Sequence, residues 1–301
     1  MSVPRLLVVG GNGYLGSAVC KAAVAKGWDV SSMSSSGKPY ASPAGHTPKW
    51  VHAVQWHRAS AFEPDTYRAL LADKSAVVHT LGILLEDAGY KDAIARGDVL
   101  GLLGGMVRGA TGSGPASNPL KTEKEARGTY EAMNRDSALL VLDTMLAEPS
   151  PPAPAERSFV YVSAANKVAP FVPDRYVSTK REAEAGILER CEANGHVRPV
   201  IMRPGLMYNA HVRPISTLPA FALSLTAGLH DRLHFPMPFK ADSTLGKAAE
   251  TLRTHPIHVD HVADAIVRSI ATGEEGVIDV PTMREWAGFD VVHDKNKVDE
   301  A

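Results

Sequence analysis

Two cysteines, Cys20 and Cys191, are all that this chain of 301 residues contains. So small a number gives no disulfide framework and no CxxC metal or redox motif, and it suits a reducing compartment. Long apolar runs are missing as well. No stretch approaches the roughly 18 apolar residues needed to span a bilayer. The first strand is expected to begin about five residues in, and on this reading no removable presequence is expected. Charge of one sign is equally scarce: 32 Lys and Arg stand against 33 Asp and Glu, with no basic block or stripe. That balance removes the electrostatic footprint of a nucleic-acid partner. His258 and His261 are spaced three apart at a helix start, where a ligand pair is conceivable, and a capping or core role is the expectation for them. No metal is assigned.

What is present is an alternation of short apolar runs with helical stretches, in a chain that is 45% hydrophobic. This pattern predicts an α/β fold, a doubly wound parallel sheet with helices on both faces and a small C-terminal lobe. Strands are expected at Arg5–Val9, Asp29–Met33, Ala53–Trp56, Ala76–Leu81, Ser158–Val162, Pro199–Met202 and Val277–Val280. Helices are expected over roughly Tyr14–Lys26, Pro64–Ala72, Tyr130–Leu146 and Tyr176–Asn194, and from Pro256–Asp260 to Thr272. The dinucleotide-binding domain would cover 1–205, with an insertion at 83–129 and strands returning at 256–281. A small substrate or partner lobe would occupy 206–255, and 282–301 would be a loose tail. The glycine-rich insertion reads either as a lid or partner-binding loop or as disordered chain. The apolar stretch Leu218–Leu229 reads as core packing or as a face for lipid or a prenyl tail.

Gly10, Gly13 and Gly16 follow the apolar run Leu6–Val9 directly and open the first helix. Glycines at this spacing let the backbone turn sharply, approach a pyrophosphate without an intervening Cβ, and pack the helix close to the sheet. The helix start near Tyr14 and Leu15, with Asn12 before it, would turn free N–H groups toward the phosphates. Tyr176 and Lys180 form a second pattern, four apart on a predicted helix and thirteen residues beyond Ser163. Positions four apart share a helix face. An ammonium beside a phenol favours the phenolate and fits the phenol for proton transfer. Ser163, at the carboxyl end of a strand, would hold the substrate oxygen.

Gly10-x-x-Gly13-x-x-Gly16, Ser163, Tyr176-x-x-x-Lys180, Arg203-Pro204-Gly205 and Ile257-His258-Val259-Asp260 occur together in an order that resembles an extended or atypical short-chain dehydrogenase/reductase. Further strings carry the likeness toward the fungal mitochondrial branch concerned with coenzyme Q (ubiquinone) biosynthesis, related to the nucleotide-binding accessory subunit of respiratory complex I. They are Val77–Glu86, Asn118–Lys121, Tyr130–Asn134 and Ser178–Glu184. The resemblance implies a catalytic set of Ser163, Tyr176, Lys180 and Asn134, with Lys180 also on the nicotinamide ribose. It implies cofactor contacts at Gly10, Asn12, Gly13, Tyr14, Leu15, Gly16, Ser34, Ser35, Lys38, Ser60, Leu81, Gly82, Lys180, Arg203 and Pro204. It also implies mitochondrial localisation, peripheral to the inner membrane on the matrix side, and association with the protein complex that makes coenzyme Q.

The chain departs from the family where relatives carry an acidic residue for the NAD ribose 2′-hydroxyl. Ser31–Lys38 holds no carboxylate, which favours NADP, with NAD as the alternative. Ser60 stands near the position of an aspartate that would meet the adenine amino group. Two functions remain open: an NADP-dependent oxidoreductase acting on a polyprenylated quinone-ring intermediate, or a non-catalytic nucleotide-binding scaffold of the coenzyme Q complex.

Overall fold

In the computed structural model, residues 3–83, 127–149, 157–165, 173–212 and 255–290 are described. Most of the glycine-rich insertion, the Pro-rich connection after Pro149 and the apolar stretch Leu218–Leu229 lie outside them.

Seven strands form one sheet: β1 (Arg5–Val9), β2 (Asp29–Ser34), β3 (Val54–Arg58), β4 (Ala76–His79), β5 (Arg157–Val162), β6 (Val197–Met202) and β9 (Gly276–Ile278). Their order is β3-β2-β1-β4-β5-β6-β9 and every pairing is parallel. A separate two-stranded ladder joins β7 (Met207–Tyr208) to β8 (Ile257–His258). The reversal of order between β1 and β4 is the switch point at which doubly wound sheets open a crevice at their carboxyl edge.

Strand alternation divides the core. Leu6 and Val8 of β1 face the layer of α1 (Tyr14–Ala25) and α5 (Val259–Thr272), where Val19, Val262 and Ile266 are fully buried. Leu7 and Val9 face the other layer, with Leu142 and Met145 of α3 (Ser137–Ala147) and Ile187 of α4 (Asp174–Asn194). A sheet covered on both faces reads as nearly continuous apolar strands, as in Ala76–Val78. At the amino edge, the guanidinium of Arg157, 1% exposed, donates to the carbonyls of Leu71 (2.9 Å), Met145 (2.8 Å) and Lys74 (3.2 Å). It thereby satisfies the last turns of α2 (Arg68–Leu71) and α3.

Three local expectations are corrected. Pro64–Ala72 is a 3-10 turn at Pro64–Thr66 followed by α2, because Tyr67 breaks the run to bury its ring fully and set its hydroxyl 3.3 Å from Thr144 Oγ1. The helix starting near Tyr130 opens as a wide π-type turn, Glu131–Asp136, before becoming α-helical at Ser137. Residues 282–286, assigned to the tail, belong to α6 (Val280–Trp286), and the last strand ends at Ile278. The Asp279 carboxylate caps that helix by accepting from the Thr282 N–H at 3.0 Å, and Met283 is fully buried against the core.

Candidate functional site

The glycine loop, Ser34, Ser35, Lys38, Ser60, Leu81, Gly82, Ser163, Arg203 and Pro204 follow the carboxyl ends of β1 to β6, while Asn134 lies in the π-type turn and Tyr176 and Lys180 lie on α4. Gly10 leaves β1 with φ +85° and its N–H donates to Met33 O at 2.8 Å. Its own carbonyl accepts from Gly13 N at 2.9 Å, which closes the turn. A Cβ on Gly16 would stand 2.2 Å from Gly10 O, and one on Gly13 3.1 Å from the same oxygen. Glycine at 16 is therefore a steric requirement, and the loop keeps a bare main-chain cradle suited to a diphosphate. Gly13 is the N-cap of α1, which has no side-chain cap and no acidic residue in its first turn, so the positive end of the helix stays uncompensated.

Asn12 ties this loop to the one after β2, its Nδ2 donating to Ser36 Oγ (3.1 Å) and Lys38 O (3.3 Å). Ser34 Oγ accepts from Gly37 N at 3.1 Å, while Ser35 and Lys38 are exposed beside it. Arg58 was not anticipated. It ends β3 in register with Ser34 and is exposed, adding a second cation to Lys38 in the loop region beyond β2 and β3. Its signal in the sequence is faint, since only the strand register brings residues 34 and 58 together. Ser60 Oγ accepts from Phe62 N at 3.3 Å, so this side chain closes a turn.

Across the cleft, Leu81 packs on the glycine loop, where a Cβ at Gly10 would meet its Cδ2 at 2.9 Å. Gly82 lies between Asn134 and Lys180, and a Cβ there would stand 3.0 Å from both Asn134 Oδ1 and Lys180 Nζ. Asn134 is fully buried within the π-type turn. Its Oδ1 accepts from Ile83 N (2.9 Å), its Nδ2 donates to Ile83 O (3.3 Å), and its own carbonyl accepts from the Tyr161 hydroxyl.

Lys180, 3% exposed, donates from Nζ to Val162 O at 2.8 Å and sits 4.8 Å from the centre of the Tyr161 ring. Burial lowers its pKa to about 7, against the opposing pull of the Glu184 carboxylate. Tyr176 stands one turn before it on α4, half-buried, its ring edge-on to Tyr130 at 6.1 Å.

Ser163 departs from expectation. Its hydroxyl donates to Glu184 Oε1 and accepts from Arg181 Nη1 at 3.1 Å, so its single proton is already committed. Holding a substrate carbonyl by donation would require that bond to break. Glu184, 3% exposed, also receives Arg203 Nε on Oε1 (3.1 Å) and Nη2 on Oε2 (2.6 Å), as well as Arg181 Nη1. Arg203 N donates to Ile278 O and Ala165 N donates to Pro204 O, both at 2.9 Å, which fixes the start of the segment after β6. Glu184 and Arg181 escaped the sequence reading, although Glu184 follows Lys180 at helical spacing on one face.

His79, fully buried at the end of β4, is held neutral: burial first, then Lys180, pushes its pKa down to about 3, and its Nε2 lies 3.1 Å from Ser137 Oγ. His258 caps α5, its Nδ1 accepting from Asp260 N at 3.2 Å.

The family model of NAD dependent epimerases and dehydratases matches residues 6–96. MIOREX complex component 2 of Saccharomyces cerevisiae is 39% identical over 215 residues, 69% of this chain and 74% of that protein. An uncharacterized chloroplastic protein of Arabidopsis thaliana is 24% identical over 291 residues, 94% of this chain and 77% of that protein. Among solved structures, UDP-glucuronic acid 4-epimerase from Bacillus cereus in complex with NAD aligns with a TM-score of 0.51 at 15% identity, covering 96% of this chain and 86% of its own.

Proposed function

This chain belongs to the epimerase-like branch of the NAD(P)-binding short-chain dehydrogenase/reductases, and on that footing we propose that it is an NADP(H)-dependent oxidoreductase. Gly10, Gly13 and Gly16 would hold the diphosphate, with Asn12, Tyr14 and Leu15 at the helix start. Ser34, Ser35, Lys38 and Arg58 would hold the 2′-phosphate, and Ser60 would lie toward the adenine. Leu81, Gly82 and the main chain at Arg203 and Pro204 line the nicotinamide end. The observation that carries this reading is the glycine cradle, in which a single Cβ at Gly16 would strike the backbone at 2.2 Å.

When bound, the nicotinamide supplies the hydride. Tyr176 gives or takes the proton at the substrate oxygen. Lys180, buried at Gly82, holds the ribose and lends positive charge to the cleft near neutral pH. Asn134 fixes the main chain at Ile83, which would form part of the wall for the nicotinamide.

We further place the protein in mitochondria, peripheral to the matrix side of the inner membrane and within a coenzyme Q biosynthetic complex, acting on a polyprenylated quinone-ring intermediate. The strings quoted above and the likeness to a component of the MIOREX complex support this setting. A second reading, a nucleotide-binding scaffold without turnover, is favoured by the commitment of the Ser163 proton to Glu184.

The deciding experiment combines calorimetric NADPH binding with cellular coenzyme Q content in a Tyr176→Phe strain. Binding by the purified protein with a severe loss of coenzyme Q in the variant supports the enzyme. Binding with normal coenzyme Q supports the scaffold, and failure to bind NADPH or NADH overturns both.

A further inference from the structure

His79 and Tyr161 lie side by side in the sheet, in register on β4 and β5, and each reaches into the wide turn Glu131–Asp136 that carries Asn134. Tyr161 donates its hydroxyl to the carbonyl of Asn134. His79 works through Ser137, the first residue of α3. The Ser137 N–H reaches back five residues to Ala132 O, which makes the turn wide, and so it does not serve Met133 O, four residues back. The Ser137 hydroxyl takes over that carbonyl at 2.9 Å. A hydroxyl has one proton and a carbonyl can only accept, so the 3.1 Å contact between Ser137 Oγ and His79 Nε2 runs the other way, with the imidazole donating. Burial, then the nearby Lys180, keeps the ring neutral, so its single N–H is on Nε2 and Nδ1 is bare. Nδ1 is buried with no hydrogen-bond partner among the described residues. A buried acceptor left unpaired costs stability, and an apolar side chain would avoid that cost. What the imidazole adds is the Nε2–H donor.

We propose that His79 is a positioning residue: through Ser137 it holds the turn at Glu131–Asp136 in its wide form and so keeps Asn134 against Ile83. The donation from Nε2 fixes the hydroxyl with its proton toward Met133 O, the carbonyl that the Ser137 N–H bypasses. Once that proton is free to rotate away, Met133 O regains a donor when the Ser137 N–H returns to it, and the turn tightens to the α form. Dropping one residue from the wide turn rotates the chain before it by about 100° around the helix axis. Asn134 would then swing off Ile83, whose N–H and carbonyl it holds at 2.9 and 3.3 Å, and away from Gly82, against which its Oδ1 now lies. That this contact shapes the nicotinamide end rests on reading the cleft as a nucleotide site, and it adds to that reading a residue that sets the geometry from within the core.

The test reads amide hydrogen exchange at Ile83, with Val19 in the opposite layer as internal reference. It compares wild type, His79→Phe, His79→Gln, Ser137→Ala and the double variant of His79→Phe with Ser137→Ala. Each is also titrated with NADPH and with 2′,5′-ADP, which lacks the nicotinamide. Exchange at Ile83 should be at least about tenfold faster in His79→Phe and in Ser137→Ala, with Val19 unchanged. The double variant should lie within about twofold of either single, because the two residues act in one chain. Glutamine keeps an N–H at similar reach and should bring Ile83 back within about threefold of wild type. NADPH affinity should fall at least about fivefold in His79→Phe while 2′,5′-ADP affinity holds within about twofold, since the displaced wall lies at the nicotinamide end. Unchanged exchange at Ile83 in Ser137→Ala overturns the proposal, as do multiplied effects in the double variant or equal losses of the two nucleotides. Nitrogen-15 spectra of the wild type read the tautomer directly, and a proton on Nδ1 of His79 refutes the chain. If the wild type binds neither nucleotide while the exchange pattern holds, the nucleotide reading falls and the positioning of Asn134 stands, so the two failures are distinguishable.

Discussion

The Ser163 hydroxyl donates its hydrogen bond to Glu184, a carboxylate one helical turn beyond Lys180. A serine at a strand end and a lysine on the neighbouring helix thus share one acidic neighbour, which pulls on the charge of the second while it engages the first.

Gly16→Ala places a methyl group 2.2 Å from the carbonyl of Gly10, a backbone atom that cannot swing aside. The expected outcome is a loss of about 1–3 kcal/mol in stability and at least a roughly tenfold loss of NADPH affinity. Urea unfolding and calorimetry check the two effects separately.

Arg58→Gln leaves the fold intact, because the side chain is exposed at an edge strand. Removing a charged donor from a phosphate should weaken NADPH binding by about tenfold and change NADH binding by less than about twofold. Equal losses for the two nucleotides would place the 2′-phosphate elsewhere.

Lys180 carries a folded-state pKa of about 7 against an ordinary value of 10.5. The unfolded chain consequently keeps this proton to higher pH, so the cost of burying the charge is complete below about pH 7 and fades as pH rises toward 10.5. Relative to Lys180→Met, the wild type should gain stability between those limits, by up to about 1.4 kcal/mol per pH unit. Thermal melts of both proteins across pH 6 to 10 test the slope, and parallel curves would refute it.

Arg157→Met removes the donor that serves the carbonyls of Leu71, Met145 and Lys74 at the edge opposite the cleft. A cost of about 2–4 kcal/mol in urea unfolding is expected. Nucleotide affinity of the folded variant should stay within about twofold of wild type.

The sheet was legible because its strands are buried on both faces and announce themselves as apolar runs, Leu6–Val9 and Ala76–Val78 most clearly. The glycine loop was legible because steric demand at Gly16 admits one residue type. Glu184 was hidden for a different reason. Its importance comes from Arg203, at the end of another strand, and from Ser163, 21 residues away, and no local pattern reports such a meeting. The helix expected over Pro64–Ala72 was misjudged on similar grounds, since Tyr67 within it is buried and meets Thr144 on α3, a contact from 77 residues away that local pattern does not report. Arg58 needed the register of β3 on β2, which periodicity leaves open.

The uncapped start of α1 links ligand supply to survival of the polypeptide. Anything that binds the native state alone shifts the unfolding equilibrium by mass action, and a hundredfold excess over the dissociation constant is worth about 2.7 kcal/mol. A helix that begins at Gly13 without a side-chain oxygen or an early acid of its own leaves that role to an incoming anion. Steady-state abundance in the cell should then follow the pool of pyridine nucleotide, so that starving cells of it depletes the protein even where its messenger is unchanged.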